Sequence, residues 1–165
     1  MIYLKDDILD KLKKIQLLVL DFDGVLTDNR VFVDEKGIES VACNRSDSLG
    51  IELLKETKNI DTIVISKEKN NVVRARCLKL SIECYSGIND KLELLKSIST
   101  DKNIPLINIA YIGNDSNDIP CMKNVGVSAA VNDSHVTAID VADIFLHKKG
   151  GFGAVREFID MLLVQ

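Results

Sequence analysis

The sequence predicts an α/β fold, a parallel sheet covered by helices on both sides, on three observations. Short apolar runs recur without charge, as in Leu17-Leu18-Val19-Leu20, Thr62-Ile63-Val64-Ile65 and Ile109-Ala110-Tyr111-Ile112, the pattern of strands buried on both faces. Between them lie segments whose apolar residues recur at helical spacing. The polar residues that stand out follow directly on the runs, at the carboxyl edge where open parallel sheets bind ligands.

Taken in order, Leu4, Ile8, Leu12 and Ile15 place a short helix over 3–13 that leads into the first strand, 16–21. That strand runs into Asp21-Phe22-Asp23-Gly24-Val25-Leu26-Thr27-Asp28. Arg30–Val33 and Ile38–Ala42 flank Asp34-Glu35-Lys36-Gly37 and read as a hairpin. Placed after the aspartates, it would overhang them as a flap whose edges need cover, such as a second subunit. Ser46 or Asp47 caps a helix to about Lys58 with Leu49, Leu53 and Leu54 inward. The strand over 62–65 ends at Ser66. A helix from about Lys69 to Leu80 buries Val72, Val73 and Cys77, and Ile82–Tyr85 is a third strand. Asn89 caps the next helix, periodic in Leu92, Leu95 and Ile98. The strand over 108–112 ends in Gly113-Asn114-Asp115-Ser116-Asn117-Asp118. A helix to Asn124, a strand at 126–130, a helix at 134–140 and a strand at 143–146 follow. Gly150-Gly151-Phe152-Gly153 is expected as a flexible loop before a last helix that buries Val155, Phe158, Ile159 and Leu162. No repeat or linker interrupts this, so residues 1–165 are expected as one domain with a three-layer, Rossmann-like parallel sheet.

The totals fit that fold. A chain of 165 residues with 46% hydrophobic and 28% charged residues can bury a core. A net charge of −4 and the lack of a basic run argue against nucleic acid as the main partner. Cys43, Cys77, Cys84 and Cys121 form no C-x-x-C pair, so no zinc site or disulfide framework is expected. No signal-peptide core and no run near the ~20 residues of a membrane helix is present, so a cytoplasmic protein is the simplest reading.

The chemistry is expected at the strand ends. Asp21 and Asp23, two apart on extended backbone, point the same way, and such close charges repel unless a cation intervenes or one takes a proton. Solvated turn aspartates are the plainer alternative. Ser66, Lys91 and the Asn114–Asp118 loop converge on the same edge, and that convergence disfavours it. Carboxylates suit magnesium, which commonly shares its shell with substrate phosphate, while a lysine and a hydroxyl suit the remaining phosphate oxygens. No G-x-x-x-x-G-K-[ST] loop is present.

These motifs in this order, D-F-D-G-V-L-T-D, a strand-end serine, a lysine and G-N-D-S-N-D, resemble the haloacid dehalogenase superfamily over nearly the whole chain. The resemblance implies that Asp21 attacks phosphorus to form an aspartyl phosphate. It also implies that Asp23 protonates the leaving oxygen and then activates water, and that Ser66 and Lys91 hold the phosphoryl oxygens. Magnesium would sit on Asp21, the main-chain carbonyl of Asp23 and the acidic loop. There the family commonly has an acid where this chain has Asn114, so Asn114 or Asp115 would ligate, with Asp118 in the outer shell and a weaker metal site as one consequence.

There is no room for a large cap domain. The hairpin, the Asn44–Ile51 segment and the closing Gly150–Glu157 segment look like the capless phosphatases of eight- and nine-carbon sugar acids, which are similar in forming tetramers whose subunits complete one another's sites. Octulosonate enzymes typically carry arginines where this chain has Glu68 and Phe152. Glu68 with Arg76 and Lys79 is similar to the nononate 9-phosphate phosphatases, where such residues contact the sugar acid, and Arg45 is a further candidate contact. The resemblance thus implies first an acylneuraminate or nononate 9-phosphate phosphatase, then a 3-deoxy-D-manno-octulosonate 8-phosphate phosphatase. A non-catalytic module like the tail of animal acylneuraminate cytidylyltransferases is a rival, but that tail lacks the aspartate pair. A phosphorylation-switch receiver is disfavoured by the flap and the Asn114–Asp118 loop. His135 and His147 are expected at the surface, and Cys121 and Met122 in the core.

Overall fold

The computed structural model describes residues 6–165. Helix α1 (Asp6–Leu12) leads into β1 (Leu17–Leu20), a hairpin of β2 (Phe32–Val33) and β3 (Glu39–Ser40), and α2 (Arg45–Lys58). Then come β4 (Asp61–Ile65), α3 (Asn71–Leu80), β5 (Glu83–Tyr85), α4 (Lys91–Asp101) and β6 (Ile109–Gly113). Helix α5 (Ile119–Met122), β7 (Val127–Ala130), α6 (Val136–Ile139), β8 (Ile144–Phe145) and α7 (Ala154–Leu163) complete the order. Leu4, expected on the first helix, lies outside the described residues.

Six strands form one sheet in the order β5-β4-β1-β6-β7-β8, and every pairing is parallel. Leu17 lies opposite Asp61 on one side and Ile109 on the other. The chain therefore winds outward from β1 to β5, then returns across β1 to β6. That reversal puts a topological switch point at the carboxyl ends of β1 and β6, where crossovers leave in opposite directions and open a crevice. Asp21 follows β1 and Asn114 follows β6.

Strand alternation divides the core in two. Leu18, Leu20, Val64 and Ile112 face α2, α3 and α7, meeting Leu54, Val73 and Phe158. Leu17, Val19, Ile63 and Tyr111 face α4, α5 and α6, meeting Leu95, Cys121 and Ala138. No described helix is long and apolar enough to cross a membrane.

Several local expectations are corrected. The cap of α2 is Asn44, whose side chain accepts from the Ser46 amide at 2.9 Å, not Ser46 or Asp47. Asp90 rather than Asn89 caps α4, accepting from the Glu93 amide at 3.0 Å. Leu49 is 49% exposed, and Ile51 takes its inward place beside Leu54. The hairpin strands shrink to two residues each. Asp34 accepts from the amides of Lys36 and Ile38 and fixes the tip, but among the described residues no element covers the apolar faces beside it. The glycine loop is a close-packed turn instead of a flexible one. Gly150 is buried, and a Cβ there would come 1.8 Å from the Gly24 carbonyl oxygen; the Gly151 amide donates to the Val25 carbonyl at 3.1 Å.

Candidate active site

The loop after β1 is built to present one carboxylate oxygen. The Asp21 amide donates to the Ile112 carbonyl at 3.0 Å, carrying the sheet ladder one residue past β1. Phe22 turns into the core and its carbonyl accepts from the amides of Leu26 and Thr27, which closes the loop. Gly24 makes that turn at a φ of 81°, where a side chain would be strained and would strike the Asn114 amide. Buried Thr27 accepts from the amides of Gly24 and Asn29 through its Oγ1. Asp21 Oδ1 takes the Phe22 amide at 2.7 Å and Lys91 Nζ at 2.8 Å. Its other oxygen has no hydrogen bond among the described residues.

Beneath Asp21 lies a buried polar chain. Lys91, the first residue of α4, is 4% exposed and sets its ammonium 2.8 Å from both Asp21 and Asp118. Asp118 is fully buried. Its Oδ1 accepts from Lys91 and from the Tyr111 hydroxyl at 2.7 Å, and its Oδ2 from the amides of Asn114 at 2.9 Å and Asp115 at 3.3 Å. Two carboxylates thus share one cation, and the trio keeps an uncompensated negative charge. Burial and the Asp118 charge push Asp21 up to about 7 against the pull of Lys91. Burial disfavours the Lys91 ammonium, yet Asp21 and Asp118 outweigh it and hold its value above normal. Burial and Asp118 raise Tyr111 well above its ordinary value, so its phenol is a donor.

Asp23 is half-buried, and none of its side-chain atoms makes a hydrogen bond among the described residues. Burial, then the charge of Glu68, raises its carboxyl, with Lys91 opposing and Glu39 of the hairpin adding a little. A carboxyl that keeps its proton longer than usual suits a general acid. Ser66 is 1% exposed; its amide donates to the Tyr85 carbonyl and its hydroxyl accepts from the Glu68 amide at 3.0 Å.

Asp21, Asp23, Ser66, Glu68, Asn114 and Asp115 all line one small open cavity of about 160 Å³. Three further lining residues, Asn29, Lys67 and Asn117, were not singled out from the sequence, although each adjoins a residue that was. Glu68 is turned back on its own loop, accepting from the amides of Lys69 at 2.6 Å and Asn70 at 2.7 Å. Other expectations do not hold within the chain. Asp118, expected in the metal's outer shell, does not line the cavity: its oxygens accept from Lys91, Tyr111 and two amides. Arg76 and Lys79 line a different cavity of about 520 Å³, walled by Asp61, Thr62 and Ser81 at the amino ends of β4 and β5. There one Arg76 terminal nitrogen donates to Ser48 Oγ at 2.6 Å, while its Nε has no partner among the described residues. Arg45 stands exposed at the start of α2. His135 caps α6, His147 pairs with Glu157 at 2.9 Å, and Cys121 and Met122 are core.

The cavity's unengaged donors are hard oxygens: the free Asp21 carboxylate oxygen, the Asp23 main-chain carbonyl and the Asn114 side-chain amide. They fit a magnesium ion that keeps several waters. The surplus negative charge around Asp21 favours a cation too. Among the described residues no group of three or more His, Cys, Asp or Glu side chains is placed to hold a metal, and the residue at position 114 is an amide.

Comparison with known proteins bears on this geometry. Residues 45–159 match the family model of haloacid dehalogenase-like hydrolases. The chain is 39% identical over 158 residues to the 3-deoxy-D-manno-octulosonate 8-phosphate phosphatase KdsC of Salmonella typhi, covering 95% of this chain and 84% of that one. The crystal structure of the Yersinia pestis 3-deoxy-D-manno-octulosonate 8-phosphate phosphatase superposes with a TM-score of 0.92 at 35% identity, over 96% of this chain and 86% of the other. That of the Moraxella catarrhalis enzyme, in complex with magnesium, phosphate and KDO, does so with a TM-score of 0.93 at 31% identity, over 96% and 91%.

Proposed function

The chain belongs to the haloacid dehalogenase-like hydrolases, as a phosphatase of the KdsC type, and on that premise we propose that it hydrolyses 3-deoxy-D-manno-octulosonate 8-phosphate. The relatives' specificity moves this substrate ahead of the nononate 9-phosphates that the sequence put first. One observation carries the chemistry: Asp21 offers a single unengaged oxygen to a cavity where burial and Glu68 hold the Asp23 carboxyl above its ordinary value and Lys91 stands behind.

In this reading the free Asp21 oxygen attacks phosphorus in line as the ester bond breaks. The leaving alkoxide takes the proton of Asp23. Asp23 then removes a proton from water, which attacks phosphorus, breaks the Asp21–phosphate bond and releases inorganic phosphate. The Lys91 ammonium and the Ser66 hydroxyl neutralise and hold the phosphoryl oxygens, so most of the acceleration comes from positioned charge. Magnesium would be held by Asp21, the Asp23 carbonyl and Asn114 and would supply further charge neutralisation at the phosphoryl group.

A nononate or acylneuraminate 9-phosphate remains the second reading, favoured by Glu68 in the cavity wall. A homotetramer belongs to either reading. Val31, Phe32, Val33 and Ile38 of the hairpin are each more than half exposed, which is apolar surface that wants a partner. In such an assembly Arg76 and Lys79, which do not line the cavity beside Asp21, would contact a substrate held by a neighbouring subunit. All of this lies within one catalytic domain.

The test is a panel with magnesium: the octulosonate 8-phosphate, the two nine-carbon 9-phosphates and p-nitrophenyl phosphate. The expected result is the highest kcat/KM on the octulosonate ester, with all turnover lost in Asp21→Asn. A higher value on a 9-phosphate transfers the proposal to the second reading, and turnover that survives Asp21→Asn rejects the mechanism.

A further inference from the structure

Tyr111 is a buried polar group beside the candidate active site that the phosphoryl-transfer steps do not use. It sits in β6 with its hydroxyl 2.7 Å from Asp118 Oδ1, the oxygen that Lys91 also contacts at 2.8 Å. Two residues on and on the same side of the strand, Gly113 leaves Asp118 no room on its near side, since a Cβ there would come 2.6 Å from the Asp118 Cβ. Asp118 is thus clamped by the Gly113 backbone, two amides and the phenol, and in turn takes a share of Lys91.

We propose that Tyr111 is a positioning residue for phosphoryl transfer, acting through Asp118 to set how the Lys91 ammonium is divided between Asp118 and Asp21. The inference rests on the phosphatase reading given above. An ammonium has three N–H donors. Two are directed at Asp21 and Asp118, and the third has no partner among the described residues, which leaves it for a phosphoryl oxygen. The phenol draws charge from Asp118 Oδ1. Without it that oxygen depends on Lys91 alone, and the ammonium shifts toward Asp118, away from Asp21 and from the oxygens it must meet in the transition state. Tyr111 and Asp118 do not line the cavity, so the loss falls on turnover more than on substrate affinity.

The experiment compares the unaltered chain with Tyr111→Phe, which keeps the ring's volume and leaves Asp118 three donors, on p-nitrophenyl phosphate with magnesium. A thermal melt confirms folding. The hydrogen bond is one to a charged group, so kcat is expected to fall about ten- to a hundredfold while KM moves less than twofold. Inhibition by orthovanadate, which mimics the five-coordinate transition state, weakens in parallel with kcat. In an Asp118→Asn background the same change has no further effect on kcat, the sign that it acts through Asp118. A lower melting temperature with unchanged kcat and vanadate affinity overturns the assignment, as does full additivity with Asp118→Asn. If the unaltered chain releases no phosphate from any ester, the phosphatase reading itself falls, a result distinct from equal kcat values in two active chains.

Discussion

The start and the middle of the loop that runs from β1 to α2 obey opposite rules. At its start Asp21 is buried against Lys91, Asp118 and Tyr111, joined by hydrogen bonds and ion pairs within the same chain. In its middle the hairpin puts Phe32 and Ile38 into solvent at 58% and 62% exposure, on strands of two residues that no described residue covers. One region is closed within the chain and the other is open. Phosphorus chemistry needs a few charges held to a fraction of an ångström, which a closed network secures. Enclosing a sugar acid needs surface, and a small chain without a cap domain has little to give. Removing the phosphate and choosing whose phosphate it is are therefore separable properties here.

The largest effect is expected from breaking the closed region. Lys91→Met leaves Asp21 and Asp118 facing each other, buried, without their cation. Turnover should fall at least ~1,000-fold, as for loss of a preorganised charge in a water-poor site. Stability should fall by about 3–5 kcal/mol, since removing one member of a buried ion set strands the others. Urea unfolding and steady-state kinetics measure both. A variant that melts like the unaltered protein would mean the trio is not the tight unit described.

The hairpin should respond differently. Phe32→Asp lies on an exposed position, so the melting of the chain's own fold should change within about 0.5 kcal/mol. A charge in the apolar patch should lower the molecular mass in sedimentation and raise KM for the sugar-acid phosphate about tenfold or more. Turnover of p-nitrophenyl phosphate, which has no sugar acid to enclose, should stay within about twofold, an estimate for a site whose charged groups are untouched. Equal losses on both substrates would erase the distinction between the regions.

How much of this could be read from the sequence follows the same division. The sheet, its helices and the convergence of Asp21, Asp23, Ser66, Lys91 and Asn114 were legible, because buried strands are continuous apolar runs and their carboxyl ends share an edge. Caps were misplaced where several cap-forming residues adjoin: Asn44 and Ser46 both qualify by type, and backbone geometry decides between them. Tyr111 was hidden because an aromatic in an apolar strand reads as core, and only the fold shows what its hydroxyl meets. Arg76 and Lys79 fall outside the cavity for a reason of length. Helix α3 rises ~1.5 Å per residue, which carries Arg76 about 7.5 Å past the helix start at Asn71, toward the other edge of the sheet. Glu68 was placed at the cavity because it precedes that helix, although its carboxylate caps its own loop.

Position 114 tests the closed region more gently. Its side chain enters the cavity beside Asp21, packed against Gly24, and its own amide is anchored by Asp118. Asn114→Asp keeps this shape and adds one carboxylate to a set of hard oxygen donors that has one formal charge at Asp21. Ligand charge count sets affinity at such sites, so the magnesium concentration for half-maximal activity should drop by about tenfold. The same charge lies near Asp21 and Asp23 and repels a phosphate dianion, so without excess magnesium KM should rise. A magnesium titration at fixed substrate separates the two effects, because the metal gain shows at low magnesium and the repulsion disappears once the site is filled. If half-saturation does not move, Asn114 does not face the ion, and Asp115, exposed and accepting from the Ser116 amide, becomes the loop's ligand.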